Sequence, residues 1–175
     1  MPGEGEPDFY IKPVGKVRGG PKNPPLGFSG GDLHVDRGGP RDASAPGESE
    51  IVIDERYAEC LEGIEEFSHI IVLYWPHMVD ERGREIAKVH PAGQEDIAKV
   101  GIFSTRSPAR PNPICVTTVV LLERDANVLK VEGLDAVDGS PVLDIKPHLP
   151  FYDAPEGARL AGWMNELSRR FRGSG

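Results

Sequence analysis

The sequence predicts a mainly β protein: a single barrel-like, mixed or antiparallel sheet with a few short helices and a C-terminal amphipathic helix. Three observations lead there. Short runs rich in β-branched residues recur at intervals too brief for crossover helices, which favours a barrel over a doubly wound sheet. At 175 residues the chain is about one domain long and can bury a core without metal or disulfide staples. No GxGxxG follows any predicted strand, so a nucleoside ligand would be held outside a Rossmann domain. The single domain is assigned to residues 1–175, with a barrel core at about 9–152, the C-terminal helix at 153–172 and a flexible tail at 173–175.

Residues 11–18 (IKPVGKVR) alternate and read as a first strand, with Pro13 placing them at a sheet edge or strand start. Glycine and proline dominate residues 19–47, interrupted only by Leu33 and Val35, and a loop of this length is either functional or disordered. Residues 50–53 form a short strand. Asp54 then caps a helix in which Tyr57, Leu61 and Ile64 share one face, and Gly63 ends it. Residues 69–75 (HIIVLYW) are almost continuously apolar and read as a strand buried on both faces, at the centre of the sheet. A charged excursion follows, after which residues 100–103, 114–122 and 127–134 supply further strands. Residues 142–145 add one more, opened by the Asp138-Gly139 turn. Residues 156–171 close the chain as a helix whose face carries Leu160, Trp163, Met164, Leu167 and Phe171, with Arg169, Arg170 and Arg172 suiting its negative end. That face reads as core or dimer packing rather than a cofactor site.

The net charge of −8 excludes broad, charge-driven nucleic-acid binding and leaves room for a local basic patch. Two cysteines without CxxC spacing fit a reducing cytoplasm. No run approaches the roughly 20 apolar residues of a membrane span, and the acidic start MPGEGEPDFY is unlike a signal peptide. The expectation is a soluble, cytoplasmic protein with no membrane partner. GxxxxGK[ST], HExxH and GxSxG are absent. His34, His69, His90 and His148 form no metal-ligand spacing, so no metal is expected.

Two segments could carry chemistry. In TRSPARPNP, Arg106 and Arg110 stand four apart among prolines that restrict the backbone, which makes either a rigid ligand platform or a solvated loop with surface ion pairs. In DAVDGSPVLDIKP, the carboxylates could clamp a ribose or an amino group, or the segment could be an Asp-Gly turn and an edge strand. Asp144 and Lys146 would share one strand face. His77 and Met78 follow the apolar strand at the place where sites are often built, although a lone His is as readily a structural residue.

With EGIEEFSHIIVLYWPHM and VGKVR, the segments GIFSTRSPARPNPIC and DAVDGSPVLDIKPHLPF resemble the TrmO/TsaA family, over most of residues 11–152. Its members carry GxFATRSxxRPNPIG and DxxDGTPVxDIKPY. The resemblance implies a homodimer of β-barrel domains that binds S-adenosylmethionine without a Rossmann fold. It further implies methylation of N6-threonylcarbamoyladenosine beside the tRNA anticodon. Position by position, it places His77, Met78, Arg106, Thr118, Asp135, Ala136, Val137 and Asp138 at the cofactor. Arg110, Asn112, Asp144 and Lys146 match motif residues to which the resemblance gives no individual role and are expected at the substrate, and Asp138 or His77 could take up a proton. The early PRQ-type motif is not recognisable in GGPKNPPLGFSGG, Met78 replaces Gln, Cys115 replaces Gly and His148 replaces Tyr. Two alternatives stand beside tRNA methylation: a divergent enzyme acting on a small metabolite, and a non-catalytic module that binds S-adenosylmethionine.

Overall fold

The computed structural model describes residues 10–23, 26–29, 32–35 and 47–172. In chain order the strands are β1 (Gly15–Arg18), β2 (Leu26–Ser29), β3 (Asp32–Val35), β4 (Glu48–Ile53), β5 (His69–Tyr74), β6 (Lys88–Val89), β7 (Val100–Gly101), β8 (Cys115–Asp125), β9 (Val128–Glu132) and β10 (Pro141–Pro147). Six of them close a barrel in the order β1-β10-β5-β8-β9-β4, with β4 pairing back onto β1. Every neighbouring pair is antiparallel, so the expected barrel-like sheet is a closed antiparallel one. No helix among the described residues is long and apolar enough to cross a membrane.

The barrel is filled by the inward half of each alternating strand. Val17, Ile51, Ile53, Ile70, Val72, Tyr74, Val119, Leu129, Val131 and Val142 are buried together. At β1 the backbones approach so closely that a Cβ on Gly15 would stand 2.4 Å from the Val52 carbonyl oxygen. Strand β1 is shorter than the expected 11–18. The apolar run of β5 is not buried on both faces: Ile70, Val72 and Tyr74 point inward, while Ile71 and Leu73 are only half-buried outside. A closed barrel has no central strand, and Trp75 lies just past the end of this one.

The connections differ more from expectation. Residues 19–47 contain a hairpin, β2 with β3, in which Leu33 pairs with Phe28 and Val35 with Leu26. The other parts of that segment, residues 24–25, 30–31 and 36–46, lie outside the described residues. Asp54 caps a 3-10 helix over Glu55–Leu61 rather than an α-helix, accepting from the Arg56 N–H at 3.3 Å, and Gly63 adopts a φ of +82° where it ends. Residues 100–103 form only the two-residue β7 and a 3-10 turn, Ile102–Ser104.

Between β5 and β6 lies a short helix, α1 (Glu81–Arg84); α2 (Pro150–Asp153) follows β10. The closing helix, α3 (Gly162–Arg172), begins six residues later than its apolar spacing predicts, because Leu160 is exposed outside it. Leu167 is its buried contact and Arg170 meets Asp96 at 2.8 Å, so α3 packs beside the segment that carries β6 and β7. The Phe171 side chain and the tail at 173–175 lie outside the described residues.

One irregularity bears on the site. The pairing of β10 with β5 shifts between Val142 and Asp144, so that Leu143 is an extra residue in β10. Val142 faces the core before the bulge and Ile145 packs against it after the bulge, which leaves Asp144 and Lys146 outside.

Candidate active site

A cavity of about 590 Å³ opens at the end of the barrel where β5 stops and β8 starts, within the roughly 300–1,000 Å³ of small-molecule sites. Its position follows from strand register. Tyr74, the last residue of β5, pairs with Cys115 of β8 on one side and Val142 of β10 on the other, so three distant sequence segments converge there. Tyr74, Cys115, Thr117 and Thr118 form the barrel side. Residues 76–80 and Gly83 of α1 form a second wall, Arg106, Pro108 and Arg110 a third, and Asp135, Val137 and Ser140 a fourth.

The barrel side and the fourth wall meet at Asp135, which is itself exposed. Its Oδ1 accepts hydrogen bonds from the Tyr74 hydroxyl at 3.0 Å and the Thr117 hydroxyl at 2.5 Å. Its Oδ2 has no partner among the described residues. Burial, and then the charge of Asp135, hold the Tyr74 phenol far above its ordinary range, so it stays a donor at any physiological pH. Burial also pushes the Cys115 thiol up to about 11, with the Asp135 charge adding to it while the Tyr74 hydrogen bond and Arg110 oppose it. A thiol so placed is neutral near pH 7 and is not a nucleophile.

The walls are held by local bonds. Asp80 caps α1 by accepting from the Gly83 N–H at 3.0 Å. A Cβ on Gly83 would stand 2.7 Å from Val79 Cγ1, so a larger residue would push this wall outward. His77 Nδ1 and the hydroxyl of Ser140, itself buried, lie 3.2 Å apart and tie the second wall to the fourth. In the proline-rich loop, Thr105 Oγ1 donates to the Ile102 carbonyl at 2.8 Å and accepts from the Ser107 N–H at 3.2 Å, and the buried Ala109 bonds to Ser107 Oγ. Arg110 Nη1 reaches the Thr105 carbonyl at 3.4 Å, with its guanidinium 5.9 Å from the centre of the Phe103 ring.

Of the residues singled out from sequence, His77, Met78, Arg106, Arg110, Thr118, Asp135 and Val137 line this cavity. Five do not. Ala136 turns its side chain into the barrel core. Asp138 accepts from the Gly19 N–H at 2.8 Å and donates its own N–H to Pro21, fastening the end of β1 to the β9–β10 connection. Asn112 is exposed, and its main-chain carbonyl accepts from Ile114 at 2.7 Å. Asp144 and Lys146 pair with each other at 2.6 Å on the outer face of the barrel. Sequence reasoning passed over Tyr74, Asp80, Cys115, Thr117 and Ser140. Tyr74 carried a usable signal, since a tyrosine at the end of a buried strand needs a partner for its hydroxyl. No three His, Cys, Asp or Glu residues among those described gather to hold a metal ion.

Comparison with known proteins identifies a family and similar structures. Residues 33–154 match the family model described as the tRNA-methyltransferase O N-terminal domain. The chain is 42% identical over 119 residues to a probable S-adenosyl-L-methionine-binding protein of Pyrococcus abyssi, covering 68% of this chain and 61% of that protein. It is 41% identical over 115 residues to the tRNA (adenine(37)-N6)-methyltransferase of Escherichia coli K12, covering 63% of this chain and 48% of that protein. The matched region thus spans less than two thirds of either relative. Among solved structures, that of TrmO from Pseudomonas aeruginosa is similar at a TM-score of 0.63 and 28% identity, covering 88% of this chain and 62% of that one.

Proposed function

This chain belongs to the tRNA-methyltransferase O N-terminal domain family, and from that premise we propose that it is an S-adenosylmethionine-dependent methyltransferase. The acceptor in this reading is the adenosine beside a tRNA anticodon, in its N6-threonylcarbamoyl form, and the protein works in the cytoplasm as a homodimer. The observation that carries it is the donor set of the cavity. Asp135 presents one unpartnered carboxylate oxygen and Asp80 a second carboxylate, which suit the ammonium and sulfonium of the cofactor. Arg106 suits its carboxylate. Met78, Val79, Ile114 and Val116 supply an apolar surface for its adenine.

The cofactor supplies an electrophilic methyl group on sulfur. The chain needs no nucleophile of its own and must instead align the acceptor with that methyl and keep water out. The neutral Cys115 and Tyr74 fit this task, because neither competes for the methyl group. Tyr74 and Thr117 fix the orientation of Asp135 through its Oδ1. When the acceptor is an amide-like or amino nitrogen, the His77 ring nitrogen not engaged with Ser140 is suited to take up its proton.

Calorimetric titration with S-adenosylmethionine tests the cofactor, with Arg106→Ala as the paired variant. The wild type is expected to bind one equivalent and the variant about tenfold more weakly, the loss of roughly one charge-assisted hydrogen bond. Absence of binding by the wild type would end the reading. Transfer of labelled methyl to threonylcarbamoylated tRNA then tests the acceptor. Binding without transfer to tRNA or to free nucleosides would instead favour a binding-only module, the reading supported by the net charge of −8 and by relatives named only as S-adenosyl-L-methionine-binding proteins.

A further inference from the structure

We propose that Phe103 and Arg110 form a stacking platform at the mouth of the cavity, against which an unstacked purine presented by an RNA loop is laid. The proposal rests on the methyltransferase reading and adds a binding residue that the family resemblance does not assign. Phe103 is 78% exposed. It is not loose. Its neighbour Ile102 is 3% exposed and packs with Val89, and the 3-10 turn carrying both is closed by the Thr105 hydroxyl. The backbone therefore holds the ring out toward solvent.

A singly exposed aromatic residue needs no explanation in itself. Here the guanidinium of a cavity-lining arginine stands 5.9 Å from the ring centre, and the same arginine is bonded to the carbonyl that ends the turn. The cation thus lies over one face of the exposed ring and joins it to the cavity wall, with Arg106 on the same loop also lining the cavity. Exposed aromatic rings interleaved with arginine are the means by which proteins hold unpaired bases, stacking on the flat face while the cation meets the phosphate or the base edge. On a chain of net charge −8, this is also how RNA can be engaged without a broad basic surface.

The test uses an anticodon stem-loop RNA with adenosine at the target position and a matched RNA that is abasic there, with binding followed by fluorescence anisotropy. Loss of one base-aromatic contact corresponds to a weakening of about fivefold to a hundredfold. Phe103→Ala is expected to weaken the adenosine RNA by that factor, Phe103→Trp to restore it, and Phe103→Leu, which keeps apolar bulk but no ring, to behave like the alanine variant. In the abasic RNA the three variants and the wild type should bind alike, as a coupled pair requires. Equal losses on both RNAs, or full affinity for Phe103→Leu, would overturn the platform, as would a wild type that binds neither RNA. S-adenosylmethionine affinity is measured on every variant: if it is intact while the RNA result fails, this inference falls and the cofactor assignment stands.

Discussion

The two ends of the barrel are built from the same six strands and reach opposite results. At the far end of β8, the 3-10 helix Glu55–Leu61 lays Leu61, only 4% exposed, onto the core with Tyr57 and Ile64 beside it. Arg124 there bonds the Leu61 carbonyl and the Glu65 carboxylate, each at 3.0 Å, so the polar groups face outward and serve to hold the plug. At the near end the strands finish in Tyr74, Cys115 and Thr117, and the aliphatic filling gives way to a carboxylate with two hydroxyl partners. The short link from β4 to β5 can only plug its end, whereas the long connection between β5 and β8, residues 75–114, can stand back and wall a cavity. An identical scaffold is thus sealed where its loop is short and functional where its loop is long.

Changes at each end should separate the two roles. The largest effect belongs to the plug: Leu61→Ala should lower the unfolding free energy by about 2–5 kcal/mol, because a buried leucine leaves a cavity that only partly collapses. Urea titration checks it, and ligand affinity of the folded fraction should change less than twofold. Asp135→Asn keeps an acceptor for Tyr74 and Thr117 but removes the charge. It should weaken S-adenosylmethionine binding about tenfold, roughly 1.4 kcal/mol, while the unfolding midpoint moves little. If Asp135→Asn unfolds the protein as severely as Leu61→Ala, the near end is a second plug and the contrast is wrong.

The smallest effect is a pH dependence confined to the near end. The Cys115 thiol rises from its usual 9.0 to about 11 on folding. The protein therefore gains stability from this group below about pH 9 and loses it as pH rises toward about 11, since the unfolded chain gives up the proton first. Discounted for its partial exposure, the loss is on the order of 1 kcal/mol. Wild type and Cys115→Ala, compared by urea unfolding near pH 8 and pH 10.5, should diverge, with the wild type falling further. Parallel decline would place the alkaline loss in other groups, Tyr74 first among them.

How legible each part was follows from the same physics. Whereas both faces of β5 are apolar and its run hides which one is inward, the inward residues of β9 announce themselves through apolar alternation, because burial on one face of a strand leaves a period of two in the sequence. The start of α3 did not, because Leu160 sits at helical spacing yet has nothing to pack on. The arginines of the proline-rich loop stood out by composition, and both line the cavity. Thr117 did not stand out beside Thr118, since only the register of β8 against the β9–β10 connection shows which of the two reaches Asp135. Asp138 looks as promising as Asp135 in a string of letters. What separates them is the closeness of β1, whose end claims the Asp138 carboxylate for the Gly19 N–H.

The bulge at Leu143 works like a frameshift in the last strand. Val142 and Ile145 sit three apart, a spacing that cannot put two residues on one face of a regular strand, and yet both belong to the interior. Pairing Leu143 as a regular strand residue would exchange the contents of the two faces beyond that point, turning the Asp144–Lys146 pair toward the hydrocarbon interior and Ile145 into water, whereas deleting it would leave each on its present face. By setting that surplus residue aside, the bulge lets one short strand close the barrel and carry an ion pair on its outside, with Ser140 of the cavity just before it.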